Sequence, residues 1–424
     1  MKIGWSQRKI TPLRSARLGG FAAERFSQGV HDDLYVKALA IVTDQGPRYM
    51  LTIDVLGADD TFLDRLHRMM GRQGLDPSAL VVFCSHTHSA PVGLSRFTVY
   101  TFVDDTDVDE GWVDTVLEAG LKALNDAAAD VMDFSVTAAT GDIVGVGSNR
   151  DDRSRPGDPQ ALALAFTRTD GRRCLLYNYS CHPTVLGSSN LMITADLPGQ
   201  VASDFSAEYQ QVMFINGSCG DISTRYNRRR NGFPELQRMG AIVHDALDAM
   251  LAKPFYQGPL TRFAIDRHDM VLQYKTAVDA DQAAADVRRL QADYDRLAAQ
   301  GQDAVTLKNA HVLLEGAMAV SNYAASRYPR KKTARFTVSL IHVGDIVIVT
   351  VPFELFSQLS KPLKDRYHVF FAGYADGYLA YLPDQEAYRR GFYEAGGALA
   401  APGQGERLME AIDELLARDG VKTL

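Results

Sequence analysis

Three apolar runs in this sequence each lead into a side chain that is costly to bury alone. Val81-Val82-Phe83-Cys84 leads into Ser85-His86-Thr87-His88-Ser89-Ala90-Pro91, and the run Arg173 to Tyr179 leads into Ser180-Cys181-His182-Pro183-Thr184. The run Ile346 to Val351 leads into Pro352-Phe353-Glu354. Each has the length and apolar content of a buried strand. An imidazole or carboxylate at such a strand end needs a partner, because desolvating it without one is unfavourable. Side chains two apart on an extended strand share a face. His86 and His88 are therefore expected to project together from one strand end, a pairing that suits a borderline cation such as zinc. Taken singly, each of these residues reads best as a satisfied core residue or a turn. Three strand ends of this kind in one chain point to convergence on one site.

The remaining composition narrows the function class. A chain of 424 residues, 46% hydrophobic and 23% charged, has enough apolar material for a large core. The net charge is −7, and the basic runs are confined to Arg228-Arg229-Arg230 and Arg330-Lys331-Lys332, which read as solvated faces. Nucleic-acid binding is disfavoured on that balance. No stretch of about 18 uninterrupted apolar residues predicts a spanning helix. Met1 to Ser6 has no apolar signal-peptide core, so a cytoplasmic location is expected. Cys84, Cys174, Cys181 and Cys219 form no Cys-x-x-Cys pair and read as small buried residues rather than ligands or disulfides.

Pattern and turn chemistry predict an α/β fold of mixed sheets flanked by helices. Residues 8–33 read as irregular. Hairpins are expected at 35–55 and, closed by Asp170-Gly171, at 161–179. Helices are expected over 60–72, 110–128, 233–252 and 405–418, and from Asp196, read as an N-cap, to about Tyr209. Asp54 reads as a cap for the segment after it. Further strands are expected at 134–139, 212–215, 261–274, 335–343, 346–351 and 368–372. The polar, acidic loop 94–108 reads as a solvated lip. Residues 279–327 read as a helical hairpin with a packing, lid or subunit-contact role. No linker and no internal repeat divides the chain, so residues 1–424 are expected to form one catalytic unit with the 279–327 hairpin inserted. Arg150 is a candidate substrate contact. Ser223, in the Gly-rich loop Asn216–Thr224, is a nucleophile, a hydrogen-bond donor or part of a plain turn. The tyrosines from Tyr374 to Tyr393 are expected to line a wet cleft.

With these pieces in order, the chain resembles the neutral (non-lysosomal) ceramidase family, specifically its N-terminal catalytic domain. The stretches that carry the resemblance are Ser85-His86-Thr87-His88-Ser89, Asn149-Arg150, Cys181-His182-Pro183-Thr184, Gly220-Asp221-Ile222-Ser223, Pro352-Phe353-Glu354, and Gly373 to Tyr381 continuing to Tyr393. The resemblance implies a zinc-dependent amidase that splits an N-acyl bond. It implies His86, His182, Glu354 and Tyr381 as zinc ligands and Ser223 as the active-site serine. It implies His88, Arg150 and Tyr393 as contacts to the substrate amide or its developing oxyanion. The chain departs from the family in having Thr224-Arg225 where Pro-Asn is usual and Ala90 where Gly is usual. No counterpart of the family's C-terminal immunoglobulin-like domain is expected. The reading is therefore a Zn2+ amidohydrolase with a small-molecule N-acyl or ester substrate, ceramide or a soluble compound. The alternatives are an esterase or other metal-dependent hydrolase, and a catalytically silent zinc-binding scaffold. A (β/α)8 amidohydrolase barrel also uses a strand-end His-x-His, but it needs eight strand–helix units, and the two hairpins argue against it.

Overall fold

The structure is a computed structural model and describes residues 1–22, 24–96, 108–276, 278–325 and 332–423. Its three main sheets share one plan. In the first, Lys2–Lys9, Tyr35–Thr43, Gly46–Ile53 and Leu80–Cys84 lie side by side in that order. The first three run antiparallel, and the fourth runs parallel to its neighbour after the helix Asp60–Arg72. The second sheet repeats this with Phe134–Asp142, Gln160–Arg168, Arg173–Tyr179 and Gln211–Asn216, its crossover carrying the helix Asp196–Asp204. The third repeats it with Phe263–Gln273, Thr333–Val343, Ile346–Thr350 and Val369–Ala372, crossed by the helix Ser357–Lys364. The short strand Tyr256–Gly258 extends the outer edge of the second sheet. Each crossover carries a helix because parallel neighbours cannot be joined by a tight turn. The repeat is one of topology and is not visible as repeated sequence. No barrel closes among the described residues.

Strand alternation explains why the runs look uniformly apolar. Leu39, Met50, Val81 and Phe83 of the first sheet meet Leu164, Leu176 and Ile215 of the second and Ile341, Ile348 and Phe370 of the third in one shared core. The alternate residues face outward into three separate cores. Val36, Leu51 and Val82 lie under Asp60–Arg72 and Glu110–Ala129. Leu175 and Phe214 lie under Asp196–Asp204 and Phe233–Leu251. Val338, Val349 and Phe371 lie under Ser357–Lys364 and Gln404–Arg418. Strands buried on both faces lose the polar alternation of a half-exposed sheet.

The C-terminal ends of the three parallel pairs meet. The Asn216 side chain donates to Ser85 O and Cys181 O, both at 3.2 Å, and Gly373 N donates to Asn216 O at 3.0 Å. One asparagine thereby ties the segments that leave all three sheets. Gly220 approaches the backbone of Glu354 so closely that a Cβ there would collide with the Glu354 carbonyl. The glycines of this loop thus serve contact between chain segments.

Several expectations change. Lys2–Lys9 is a full edge strand, where the sequence is mostly polar and reads as irregular from residue 8; its signal is confined to Ile3 and Trp5, which it buries against the shared core. Asp54 caps no helix. Its carboxylate accepts from Tyr35 N at 3.0 Å, while Asp59 caps Asp60–Arg72. The helical hairpin is present as Ala280–Ala299 and Ala304–Ala325. Of the acidic loop, residues 97–107 lie outside the described residues, and so do Arg330 and Lys331.

Phe83 is fully buried where the three sheets meet. Phe83→Ala is expected to cost about 3–5 kcal/mol. Urea unfolding monitored by both fluorescence and far-UV circular dichroism should show one shared, shifted transition.

Candidate metal centre

Leu80–Cys84 ends two residues before His86, and His86 takes φ 67°. His86 and His88 therefore do not share the face of an extended strand. A left-handed turn brings their rings together, Nε2 to Nε2 at 3.2 Å. That conformation costs a non-glycine residue about 1–2 kcal/mol, and the surrounding backbone holds it. Ser85 N donates to Ile53 O and His86 N to Val55 O, at 3.0 and 2.9 Å. Other non-glycine residues with positive φ, Asp196, Tyr374 and Ala380, also flank the site, as strained positions at functional sites do.

The ring bonds fix the tautomers. His86 Nδ1 donates to Leu56 O at 2.8 Å, and His182 Nδ1 to Cys219 O at 2.7 Å and Ile222 O at 3.0 Å. Both Nε2 lone pairs are thereby turned inward. Glu354 Oε2 lies 3.1 Å from His182 Nε2 and 3.4 Å from His86 Nε2. The other carboxylate oxygen accepts the Tyr378 hydroxyl at 2.6 Å, and Tyr374 Oη reaches Oε2 at 3.4 Å.

The protonation states suit ligation. Burial, reinforced by the neighbouring His86 and His182, holds the His88 imidazole well below its usual pKa, and burial and Arg150 bring His182 to about 4. Burial alone would raise the Glu354 carboxyl. The adjacent imidazoles outweigh it and keep the carboxyl well below the usual range. An ionised carboxylate beside a His182 imidazole that resists protonation is the state a metal requires of such ligands. Zinc bonds of ~2.0–2.1 Å in a tetrahedron place donors about 3.4 Å apart. Glu354 Oε2 lies 3.1 and 3.4 Å from the Nε2 atoms of His182 and His86, and ring nitrogens of His86, His88 and His182 lie within 4.8 Å of one another. His88 Nδ1, buried, has no hydrogen-bond partner. The donor set fits a divalent cation.

Tyr381 reaches the same place by register. Glu354–Leu355 pairs parallel with Tyr381–Leu382, with Glu354 opposite Tyr381. Arg150 Nη2 donates to Tyr381 Oη at 3.1 Å, and Tyr393 Oη lies 3.4 Å from it. The guanidinium is anchored by Glu394 Oε1 at 2.9 Å and Gly220 O at 2.7 Å. Arg150 comes directly after Ser148–Asn149, which pairs with Ile222–Ser223, and Ser223 bridges back to His182. Ser223 Oγ accepts from Arg225 N at 3.3 Å. A cleft of about 540 Å³ is lined by His88, Arg150, His182, Ser223, Tyr381 and Tyr393. His311, Leu314, Glu315 and Met318 of the inserted hairpin form part of its wall. The hairpin thus borders the site.

All eight residues singled out from sequence therefore gather at one centre. Sequence reasoning missed the residues that hold them. Glu394 comes directly after Tyr393, and a buried arginine implies such a carboxylate. Tyr374 and Tyr378 are dry, where a wet lining was expected. Asp196 is not an N-cap, since Ala195 occupies that position. Its buried carboxylate instead accepts from Val185, Leu186 and Leu197 N–H at 3.1, 3.0 and 2.8 Å, which holds the loop after His182. The cysteines are free and buried, and Cys219 supplies only its carbonyl to His182. A second grouping, Asp266, His342 and Asp419, has Arg262 within 3.6 and 3.9 Å of its carboxylates, so a cation already stands there.

No family profile and no curated protein matches this sequence. Solved structures do match. Neutral ceramidase from Pseudomonas aeruginosa superimposes with a TM-score of 0.75 at 15% identity, over 99% of this chain and 75% of that one. A ceramidase complexed with C2 superimposes with a TM-score of 0.73 at 15% identity, over 100% of this chain and 76% of that one. The fold is neutral-ceramidase-like. Among the described residues no helix is long and apolar enough to cross a membrane.

Asp196→Ala orphans three buried N–H groups, each worth about 1–3 kcal/mol. The variant should melt earlier than wild type in a thermal unfolding scan.

Proposed function

We propose that this protein is a zinc-dependent hydrolase of N-acyl amide bonds. The observation that carries the reading is the convergence of His86 Nε2, His182 Nε2 and Glu354 Oε2 with edges of 3.1 and 3.4 Å, each imidazole fixed from behind by a backbone carbonyl. Tyr381, in register with Glu354, supplies the fourth donor in this reading, and Arg150 at 3.1 Å offsets the negative charge a phenolate ligand would carry. A zinc ion held there supplies Lewis acidity and lowers the pKa of water to about 7.

The chain's own groups divide the remaining work. His88 lines the cleft beside the ligand set, its imidazole held neutral by burial, and in this reading it takes a proton from the attacking water and passes it to the leaving nitrogen. Arg150 and Tyr393 present donors toward the place where carbonyl charge develops. Ser223 has no imidazole or carboxylate as hydrogen-bond partner among the described residues, so it reads better as a group that orients the attacking water than as a base-activated nucleophile. The likeness to ceramidase structures supports amide chemistry in preference to the esterase and silent-scaffold alternatives.

Purified protein should contain one zinc per chain and cleave fluorogenic N-acyl amides. A chelator should abolish cleavage and zinc should restore it. His182→Ala and Glu354→Gln should each lose metal and reduce kcat/KM by about a thousandfold or more, while Arg150→Lys should keep metal and lose kcat by about a hundredfold. Metal-free protein with undiminished turnover would sink the proposal.

A further inference from the structure

The chain leaving Ser223 runs along the mouth of the cleft and carries Arg225 and Arg228 into its lining. Both are anchored by backbone carbonyls. Arg225 Nη1 donates to Arg150 O at 3.2 Å, and Arg228 Nη1 to Thr184 O and Val185 O at 2.9 and 3.0 Å. Arg228 is thus turned inward, whereas Arg229 and Arg230 are exposed, as a solvated basic run predicts. Among the described residues neither Arg225 nor Arg228 forms an ion pair. Arg150, by contrast, is paired with Glu394 at 2.9 Å. Asn231 sits beside Arg228, with both its amide atoms and Arg228 Nη1 around Gly187. Burial lowers the Arg228 pKa and outweighs the opposing influence of Asp196 and Glu235, neither of which pairs with it directly. Phe21, Leu314 and Met318 supply apolar lining elsewhere in the same cleft.

A neutral lipid amide offers only neutral acceptors to these two guanidinium groups, which have no ion-pair partner, while a planar anion offers charge and two oxygens that accept their paired N–H donors. Glu315 shares the cleft and feels Arg225, so the two arginines call for a single negative charge rather than two. We propose that Arg225 and Arg228 bind a carboxylate on the amine half of the substrate, so that the substrates are N-acyl amino acids with the acyl chain against Phe21, Leu314 and Met318. The proposal rests on the amide-hydrolase reading above. In the reaction the acyl carbon–nitrogen bond breaks and water supplies OH to the acyl carbon and H to the nitrogen. A fatty acid and an amino acid leave.

The test compares N-lauroylglycine with N-lauroylglycinamide on the zinc-loaded full chain. The acid should be favoured by about tenfold or more in kcat/KM. Arg225→Gln should pull the acid-to-amide ratio toward one, mainly through KM, and Arg225→Lys should keep part of it. Arg228→Gln should do the same, but it also releases the loop after His182, so Arg225→Gln is the deciding variant. Equal cleavage of the two compounds would overturn the carboxylate site and leave the hydrolase reading standing. Preference for the N-lauroyl aminomethylphosphonate analogue over the acid would overturn the carboxylate assignment. If neither compound is cleaved, calorimetry decides the carboxylate site, and cleavage of the fluorogenic amides decides the hydrolase reading separately. Tighter binding of N-lauroylglycine than of its amide, lost in Arg225→Gln, supports the site, and equal binding overturns it.

Discussion

The Glu354 carboxylate is charged, 2% exposed and deep in the protein. An isolated charge there would cost several kcal/mol. Two tyrosine hydroxyls and the Nε2 atoms of His86 and His182 surround it, and both imidazoles are held from behind by backbone carbonyls at Nδ1. The arrangement is favourable with a cation in the middle, and the rest of the architecture serves to bring these groups to one point.

Each sheet contributes through its parallel pair. The first delivers His86, the second His182 and the third Glu354, each shortly after its last paired residue, while Tyr381 lies farther along the chain and comes opposite Glu354 through their own short parallel pairing. The sheets share one apolar face, which fixes their relative positions before any polar group is placed. Asn216 then ties the three exits together. A rigid frame with irregular exits tolerates left-handed residues such as His86 and Tyr374, because packing on every side outweighs about 1–3 kcal/mol of local strain.

The inserted hairpin and the loop after Ser223 add what the frame lacks. The frame assembles a generic charge-handling centre. The hairpin supplies apolar wall and a His311–Glu315 pair, and the loop supplies arginines. The hairpin and the loop thus border the cleft from outside the rigid frame, the position from which loops commonly carry specificity.

The elements with strong periodicity were legible from residues alone. The hairpins, the helices over 60–72, 110–128 and 233–252, and the strand ends bearing His86, His182 and Glu354 are all encoded in local pattern, since burial forces an apolar face on each. Lys2–Lys9 was not legible, because an edge strand with alternating polar residues carries little signal. The sequence determined which residues are costly to leave unpartnered. Tertiary structure decided how they meet. The turn at His86, the three N–H bonds that Asp196 accepts and the Arg150–Glu394 pair depend on contacts between segments up to 244 residues apart, and local propensity carries no information about such contacts.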